Sequence, residues 1–113
     1  MIWMRFARSW PPVVNAGASW TLVGFMERLE LWEKNEPASA ALDHVRWAIL
    51  PWIMERQADP YKNVQREAEV PNLWFGKIAG TEHDGQIVCC SYWIEEHTRT
   101  VRCDLFSTLS MPV

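Results

Sequence analysis

Two histidines in predicted turns are the residues of this chain best suited to proton transfer. His83 precedes Asp84, whose carboxylate could orient the imidazole, and His97 follows Glu95 and Glu96. An imidazole changes charge near neutral pH, so each histidine is either an acid–base candidate or a solvated turn residue. Glu95 and Glu96 are adjacent and would point to opposite faces of a strand, which argues against a paired-carboxylate site.

The three cysteines, Cys89, Cys90 and Cys103, do not form the pattern of a disulfide framework or a metal site. Their number is odd, and no Cys-x-x-Cys spacing occurs. Adjacent residues of a strand point to opposite faces, so Cys89 and Cys90 would share one metal only with difficulty. We therefore expect buried, reduced thiols, with no metal and no cofactor.

The composition favours an ordinary globular protein with a mildly acidic balance. Its 113 residues suffice for one domain, residues 1–113, and the net charge of −3 argues against a protein that mainly grips phosphate backbones. A local basic patch remains compatible with this charge. The eight tryptophans either fill the core or contribute to a partner-binding surface.

The N-terminal residues lack the uninterrupted apolar segment of a secretory signal, and no run approaches membrane-spanning length. We therefore expect a cytoplasmic protein without a membrane partner. The sequence contains no Gly-rich phosphate loop, no GxSxG elbow, no HExxH and no EF-hand loop.

Residues 72–109 predict an antiparallel meander. Three runs rich in apolar and β-branched residues, Leu73–Ala79, Ile87–Ile94 and Arg99–Phe106, are separated by Asp84-Gly85 and by a charged cluster. The middle run is apolar on both faces, which is typical of a central strand. Tyr92 within it either fills the core or reaches a cleft.

In the last run, strict alternation predicts that Val101, Cys103 and Leu105 share the covered face, with Arg102 and Asp104 on the other.

The first half of the chain predicts one strand and two helices. Met1–Ser9 alternates as a strand, Ser19–Lys34 repeats at the helical period with Ser19 as N-cap, and Ser39–Gln57 forms a second helix. Pro51 should kink that helix near Trp47 or divide it in two. A charged connector spans residues 61–70. The expected fold is α+β (β-α-α-β-β-β), a four-stranded, mainly antiparallel sheet with a helical hairpin on one face.

Residues 42–109 resemble the bacterial toxin superfamily of RelE, ParE and HigB. Asn72–Ile78 is similar to the segment that opens the second strand in that superfamily, Gln86–Tyr92 to the next strand, and Val101–Phe106 to the last. The resemblance implies a toxin held by an antitoxin. Members of the superfamily either cleave mRNA on the ribosome or poison gyrase.

Cleavage of RNA requires cations beside the scissile phosphate and an acid–base pair. By resemblance, Lys77 matches the basic position of the second strand, or is a solvated edge lysine. Gln86 or Ile87 replaces the expected arginine of the third strand, and Ser107-Thr108 stands where His, Tyr or paired Lys would act. Arg99 and Arg102, with the two histidines, remain as substitute candidates, so the catalytic site predicted from sequence is Lys77, Arg99 and Arg102.

Two functions therefore compete. The first is a RelE/ParE-like toxin with degenerate catalytic positions, acting on ribosome-bound mRNA or on gyrase. The second is a non-catalytic, phage-type inhibitor that occludes a bacterial enzyme, and a small-molecule binding module is a third. The expected partners are a protein, either antitoxin or target, or RNA on the ribosome, and a homodimer is compatible with either function. A basic cleft around Lys77, Arg99 and Arg102 would favour the first, and an exposed Trp-rich acidic surface the second.

Overall fold

Two α-helices and five strands occupy the part of the chain described by the computed structural model, residues 19–36 and 41–111. In chain order they are β1 (Thr21–Val23), α1 (Phe25–Asn35), α2 (Ala41–Ala58), β2 (Gln65–Arg66), β3 (Leu73–Lys77), β4 (Gln86–Glu95) and β5 (Thr100–Ser110). A 3-10 turn, Glu96–Thr98, joins β4 to β5. No helix among these residues is long and apolar enough to cross a membrane.

The strands form one mixed sheet in the order β1-β5-β4-β3-β2. β1 runs parallel to β5, and the other neighbours are antiparallel. The predicted α+β class is confirmed, but the sheet has five described strands where four were expected. The predicted first strand, Met1–Ser9, lies outside the described residues.

The prediction that a helix begins at Ser19 was wrong. Thr21–Val23 is a strand, and α1 begins only at Phe25, after Gly24 with φ +81°. The carbonyl of Gly24 accepts the first helical hydrogen bond, from Arg28 N–H at 3.0 Å. A glycine adopts this left-handed conformation at little cost. Gly24 therefore separates β1 from α1, although the apolar residues of the two elements together fit one helical period.

Helix α2 is continuous from Ala41 to Ala58 despite Pro51 in its interior. The predicted division into two shorter helices does not occur. The buried residues Val45 and Ile49 precede the proline and Trp52 and Ile53 follow it, so the core holds both halves in line. A proline removes one backbone donor and costs about 3 kcal/mol, which packing on both sides of it offsets. The predicted cap of this helix, Ser39, lies outside the described residues.

The connector predicted for residues 61–70 contains a short strand. Gln65 and Arg66 of β2 pair with Phe75 and Trp74 of β3. Both residues of β2 are exposed and polar, which is typical of a short strand that ends a sheet without inviting another chain to pair.

Strand β4 is the centre of the sheet, as the sequence predicted. Its residues Val88, Cys90, Tyr92 and Ile94 point to the inner face, where α1 and α2 pack, and all four are buried. Tyr92 therefore belongs to the core. We call the opposite side of the sheet the outer face.

The predicted alternation of β5 is broken by a bulge. Cys103 pairs with Tyr92, but Ser91 pairs with Leu105, so Asp104 is an extra residue in β5. One inserted residue reverses the side-chain alternation beyond it. Phe106 is therefore buried in the core. Leu105 is 45% exposed on the outer face, so its predicted place on the covered face was wrong.

The core joins the helices to the inner face of the sheet. Among the described residues, its tryptophans are Trp20, Trp32 and Trp52, whereas Trp74 and Trp93 are half-buried and Trp47 is exposed. Trp32 also donates from its indole N–H to the Thr108 hydroxyl at 2.9 Å, which ties α1 to β5.

Candidate functional site

The outer face of the sheet carries a cleft to which Lys77, one of the three predicted site residues, contributes. Lys77 of β3 pairs with Cys89 of β4, and Ile87 of β4 pairs with Leu109 of β5. A cleft of about 420 Å³ is lined by Lys77, Ile87 and Leu109 together with Ser110 and Met111. The cleft is therefore built by the register of three neighbouring strands.

Lys77 is the cation of this cleft. It is exposed, and it has no ion-pair partner among the described residues. Burial raises the pKa of the neighbouring Cys89 thiol, and the positive charge of Lys77 partly offsets that rise. The lysine charge therefore acts on the outer face and is available to an anionic ligand.

Arg102 is separated from Lys77 and engaged elsewhere. Arg102 of β5 pairs with Trp93 of β4, whereas Lys77 of β3 pairs with Cys89, four residues earlier in β4. The two cations therefore lie on strands that flank β4 on opposite sides. Spacings of roughly 3.3 Å per residue and 4.8 Å per strand place the two Cα atoms about 16 Å apart. The Nε of Arg102 lies 3.3 Å from the Glu95 carboxylate. Lys77 and Arg102 therefore do not form one cluster.

Arg99 occupies the turn before β5, with φ +50°. Its guanidinium lies 4.4 Å from the ring centroid of Trp20, and its buried Nε finds no hydrogen-bond partner among the described residues. This stacking is a cation–π contact that anchors the turn. The structure thus distributes Lys77, Arg99 and Arg102 over the sheet, and their catalytic role stays a prediction.

The two histidines lie in turns and do not line the cleft. His83 pairs with Gln86 in the β3–β4 connection, and its Nδ1 is 2.8 Å from the Thr81 carbonyl. His97 is exposed in the 3-10 turn at the other end of β4. Neither stands beside Lys77 as an acid–base partner would.

A second groove, of about 380 Å³, runs between α2 and the C-terminal end of β3 and shares Lys77 with the cleft. Its other charged residues are Glu55, Arg56 and Lys62. Lys62 pairs with Glu55 at 3.3 Å. This groove is less basic than its lysines suggest, because Glu55 neutralises part of their charge.

Arg56 is 1% exposed and was not predicted as a core residue. Its guanidinium donates to the carbonyls of Trp52 and Lys62 and, at 3.2 Å, to the Tyr92 hydroxyl. The Tyr92 hydroxyl in turn donates to the Pro60 carbonyl. Burial raises the pKa of Tyr92 to about 12, although the guanidinium opposes that rise. The network fastens the loop after α2 to the central strand.

Tyr61 in the same loop joins the α2 side of the molecule to the β4–β5 turn. Its hydroxyl donates to the Glu96 carboxylate, and its ring packs edge-on against Trp74 at 5.0 Å and Trp20 at 6.2 Å. Burial, followed by the hydrogen bond to Glu96, raises the pKa of Tyr61 to about 12. No spacing rule links residues 61 and 96, so this contact was not predictable from the sequence.

The cysteines are free and buried. Cys90 and Cys103 meet across the inner face with their sulfur atoms 3.8 Å apart. Burial raises the pKa of the Cys90 thiol well above its usual value, and the hydrogen bond with Cys103 adds to the rise. Protonated, buried thiols are poor nucleophiles, so these residues pack the core.

The fold of this chain is similar to one seen in a solved structure. No family model and no curated protein matches the sequence. A mutant of the E. coli toxin RelE in the free state is structurally similar, with a TM-score of 0.53 and 14% sequence identity over 79% of this chain and 82% of that chain. The chain has a RelE-like toxin fold. The resemblance predicted from residues 42–109 is thereby confirmed at the level of the fold.

The RelE-like fold brings two of the strand positions that the resemblance singled out into one cleft. Lys77 on β3 and Ile87 on β4 line the cleft, and Leu109 and Ser110 line it near the end of β5. Ser107, one of the two residues compared with the family at this end, pairs with Cys89 and so lies one position along the outer face. At 14% identity the fold is shared, whereas the roles of individual residues are not carried over.

Proposed function

We propose that this RelE-like protein is a toxin that arrests translation by binding RNA on the ribosome through the outer face, with Lys77 as the phosphate contact. The observation that carries the proposal is the convergence of Lys77, Ile87 and the end of β5 on one cleft in a chain of this fold. An exposed ammonium on a shallow surface pairs well with a phosphate oxygen. An antitoxin would silence the protein by covering this face.

The chemistry of the cleft assigns it to binding rather than to proton transfer. Its lining consists of one ammonium, two aliphatic side chains, a hydroxyl and a thioether, from Lys77, Ile87, Leu109, Ser110 and Met111. None of these side chains is a histidine or a carboxylate, the groups that most often transfer protons in catalysis. We therefore expect arrest of translation with little cleavage of the message.

The test compares a lysine in the cleft with a lysine away from it. Lys77→Ala should weaken inhibition of a purified translation system about 10- to 100-fold, because a charged hydrogen bond to phosphate contributes roughly 1.5–3 kcal/mol. Lys34→Ala is the matched control, since Lys34 is exposed in the last turn of α1. Primer extension on the ribosome-bound message measures cleavage in the same reactions. Equal inhibition by the native, Lys77→Ala and Lys34→Ala proteins would contradict the proposal.

The apolar character of the outer face favours a second candidate function, a non-catalytic inhibitor that occludes a protein target. Leu105 is 45% and Leu109 40% exposed, and Phe75 and Trp93 on the same face are half-buried. Apolar side chains clustered on one exposed face are typical of a protein-binding surface. For this function, Leu105→Ser would abolish growth arrest while Lys77→Ala would not. A supercoiling assay would show whether gyrase is that target.

A further inference from the structure

Helix α2 presents an apolar ridge to solvent. Trp47 is 75% and Met54 59% exposed, and Pro51 between them is also exposed. Positions 47, 51 and 54 fall on one side of a helix, which turns by 100° per residue. Large exposed side chains of this kind are enriched at interfaces, and tryptophan most of all. We call Trp47, Pro51 and Met54 the α2 ridge.

An apolar cavity opens beside the second half of this ridge. It has a volume of about 420 Å³ and lies between α2, β1 and the first turn of α1. Met54 and Ile53 form its α2 side, and Leu22 and Met26 face them. Within the described part of the chain, Glu27 is the one charged residue that lines this cavity, whereas four charged residues line the groove on the other side of α2. An indole ring would therefore be buried more favourably in the cavity beside the ridge.

We propose that two copies of the chain associate by antiparallel packing of their α2 helices about a two-fold axis at Pro51. In this arrangement Trp47 of each copy enters the cavity of the other. With a rise of about 1.5 Å per residue, Trp47 lies roughly 6 Å before Pro51 and Met54 roughly 4.5 Å after it. The two-fold axis therefore places Trp47 of one copy level with Met54 of the other, to within about 2 Å along the helix axis, and Met54 lines the partner cavity.

This match of knob and cavity on one molecule favours a second copy over an unrelated protein. A two-fold interface must be self-complementary, and the α2 ridge meets this requirement because Trp47 and Met54 lie at similar distances, roughly 6 Å and 4.5 Å, on opposite sides of Pro51. The three residues of the α2 ridge carry no charge. The neighbouring Glu55 is paired within its own chain, to Arg56 and Lys62. The two copies of Glu55 would lie about 12 Å apart, measured along the helix axis.

The first test measures the association constant by sedimentation and light scattering from micromolar to millimolar protein. Trp47→Ala should raise the dissociation constant at least about 30-fold, the effect of losing a central interface tryptophan. Leu105→Ser is the control, because Leu105 is comparably exposed but on the outer face. It should leave the constant unchanged. Both side chains are exposed, so neither change should unfold the chain.

Two outcomes would overturn the proposal. A native chain that stays monomeric at millimolar concentration would assign the α2 ridge to a different partner. A dimer that Leu105→Ser disrupts and Trp47→Ala does not would place the interface on the outer face. Neither outcome depends on toxin activity, so the dimer and the proposed function fail separately.

A cross-link tests the position of the axis. Facing residues of helices packed 8–10 Å apart have Cα atoms about 4–5 Å apart, which a disulfide spans. With oxidised glutathione accepting two electrons and two protons per bond, Pro51→Cys should yield a covalent dimer. Asp43→Cys is the control on the same face of α2. Its two copies would lie about 24 Å apart along the helix axis, which is too far for a disulfide. Equal cross-linking of both variants, or of Asp43→Cys alone, would overturn the proposed geometry.

Discussion

The hydroxyl of Tyr92 links the central strand to the loop after α2, and its removal isolates that link. Tyr92→Phe keeps the ring, which packs against Trp52 with centroids 6.0 Å apart, and deletes only the oxygen. The oxygen donates to the Pro60 carbonyl and accepts from Arg56 at 3.2 Å. Both partners are almost fully buried, so no bulk water replaces the lost contacts.

The expected loss of stability follows from the groups left behind. A buried carbonyl without a donor costs about 1–3 kcal/mol, and losing a hydrogen bond from a guanidinium costs about 1.5 kcal/mol more. Arg56 keeps its bond to the Lys62 carbonyl at 2.9 Å, which limits the second term. Together they predict that Tyr92→Phe lowers the free energy of unfolding by about 2–4 kcal/mol. This is a large share of the roughly 5–15 kcal/mol of a typical domain.

Urea denaturation followed by tryptophan fluorescence measures this loss, and a double-mutant cycle with Arg56→Met assigns it. Because the two side chains share one network, the double variant should be less destabilised than the sum of the single variants, by about 1 kcal/mol or more. A loss below about 0.5 kcal/mol for Tyr92→Phe, or strict additivity in the cycle, would refute the network as described.

Two further predictions concern the same core. Gly76→Ala should destabilise the chain by about 1–3 kcal/mol in the same urea assay, since a Cβ there would lie 2.8 Å from both Trp52 and Val64. Gly85→Ala, in open space but at φ +73°, should cost only about 1 kcal/mol, so equal losses would contradict the packing argument. Raising the pH should also destabilise the chain. Because the pKa of Tyr92 rises from 10.0 to about 12 on folding, the native state holds a proton that the unfolded state has lost. About 3 kcal/mol of stability, complete below pH 10, should be lost as the pH approaches 12. Tyr92→Phe should flatten this dependence, and an unchanged alkaline slope would contradict it.

The local patterns of the sequence determined the meander. The middle run is apolar on both faces, so it could only be central, and β4 spans residues 86–95 with its inner side chains as expected. The second helix was also predictable, because Val45, Ile49 and Trp52 recur at the helical period, and all three are buried in the structure. These elements were predictable because their residues alternate or repeat within a few positions.

Tertiary structure decided the features that depend on contacts between residues far apart in the sequence. Thr21–Val23 is a strand because β5 offers it a parallel edge, although its residues also fit a helical period. The bulge at Asp104 reverses Leu105 and Phe106, and no local signal marks it. Arg56 reads as a solvated residue at a helix end, yet Tyr92, 36 positions away, supplies a buried partner.

The site divides in the same way. The sequence by itself determined that Lys77 falls in Leu73–Ala79, the run that opens the meander, and it grouped Lys77 with Arg99 and Arg102 as one predicted site. Only the sheet register decided that Lys77, Ile87 and Leu109 share one cleft while Arg102 faces Glu95. Strand pairing joins residues by hydrogen bonds between separate segments, and the position of a side chain in the site depends on those partners rather than on its neighbours in sequence.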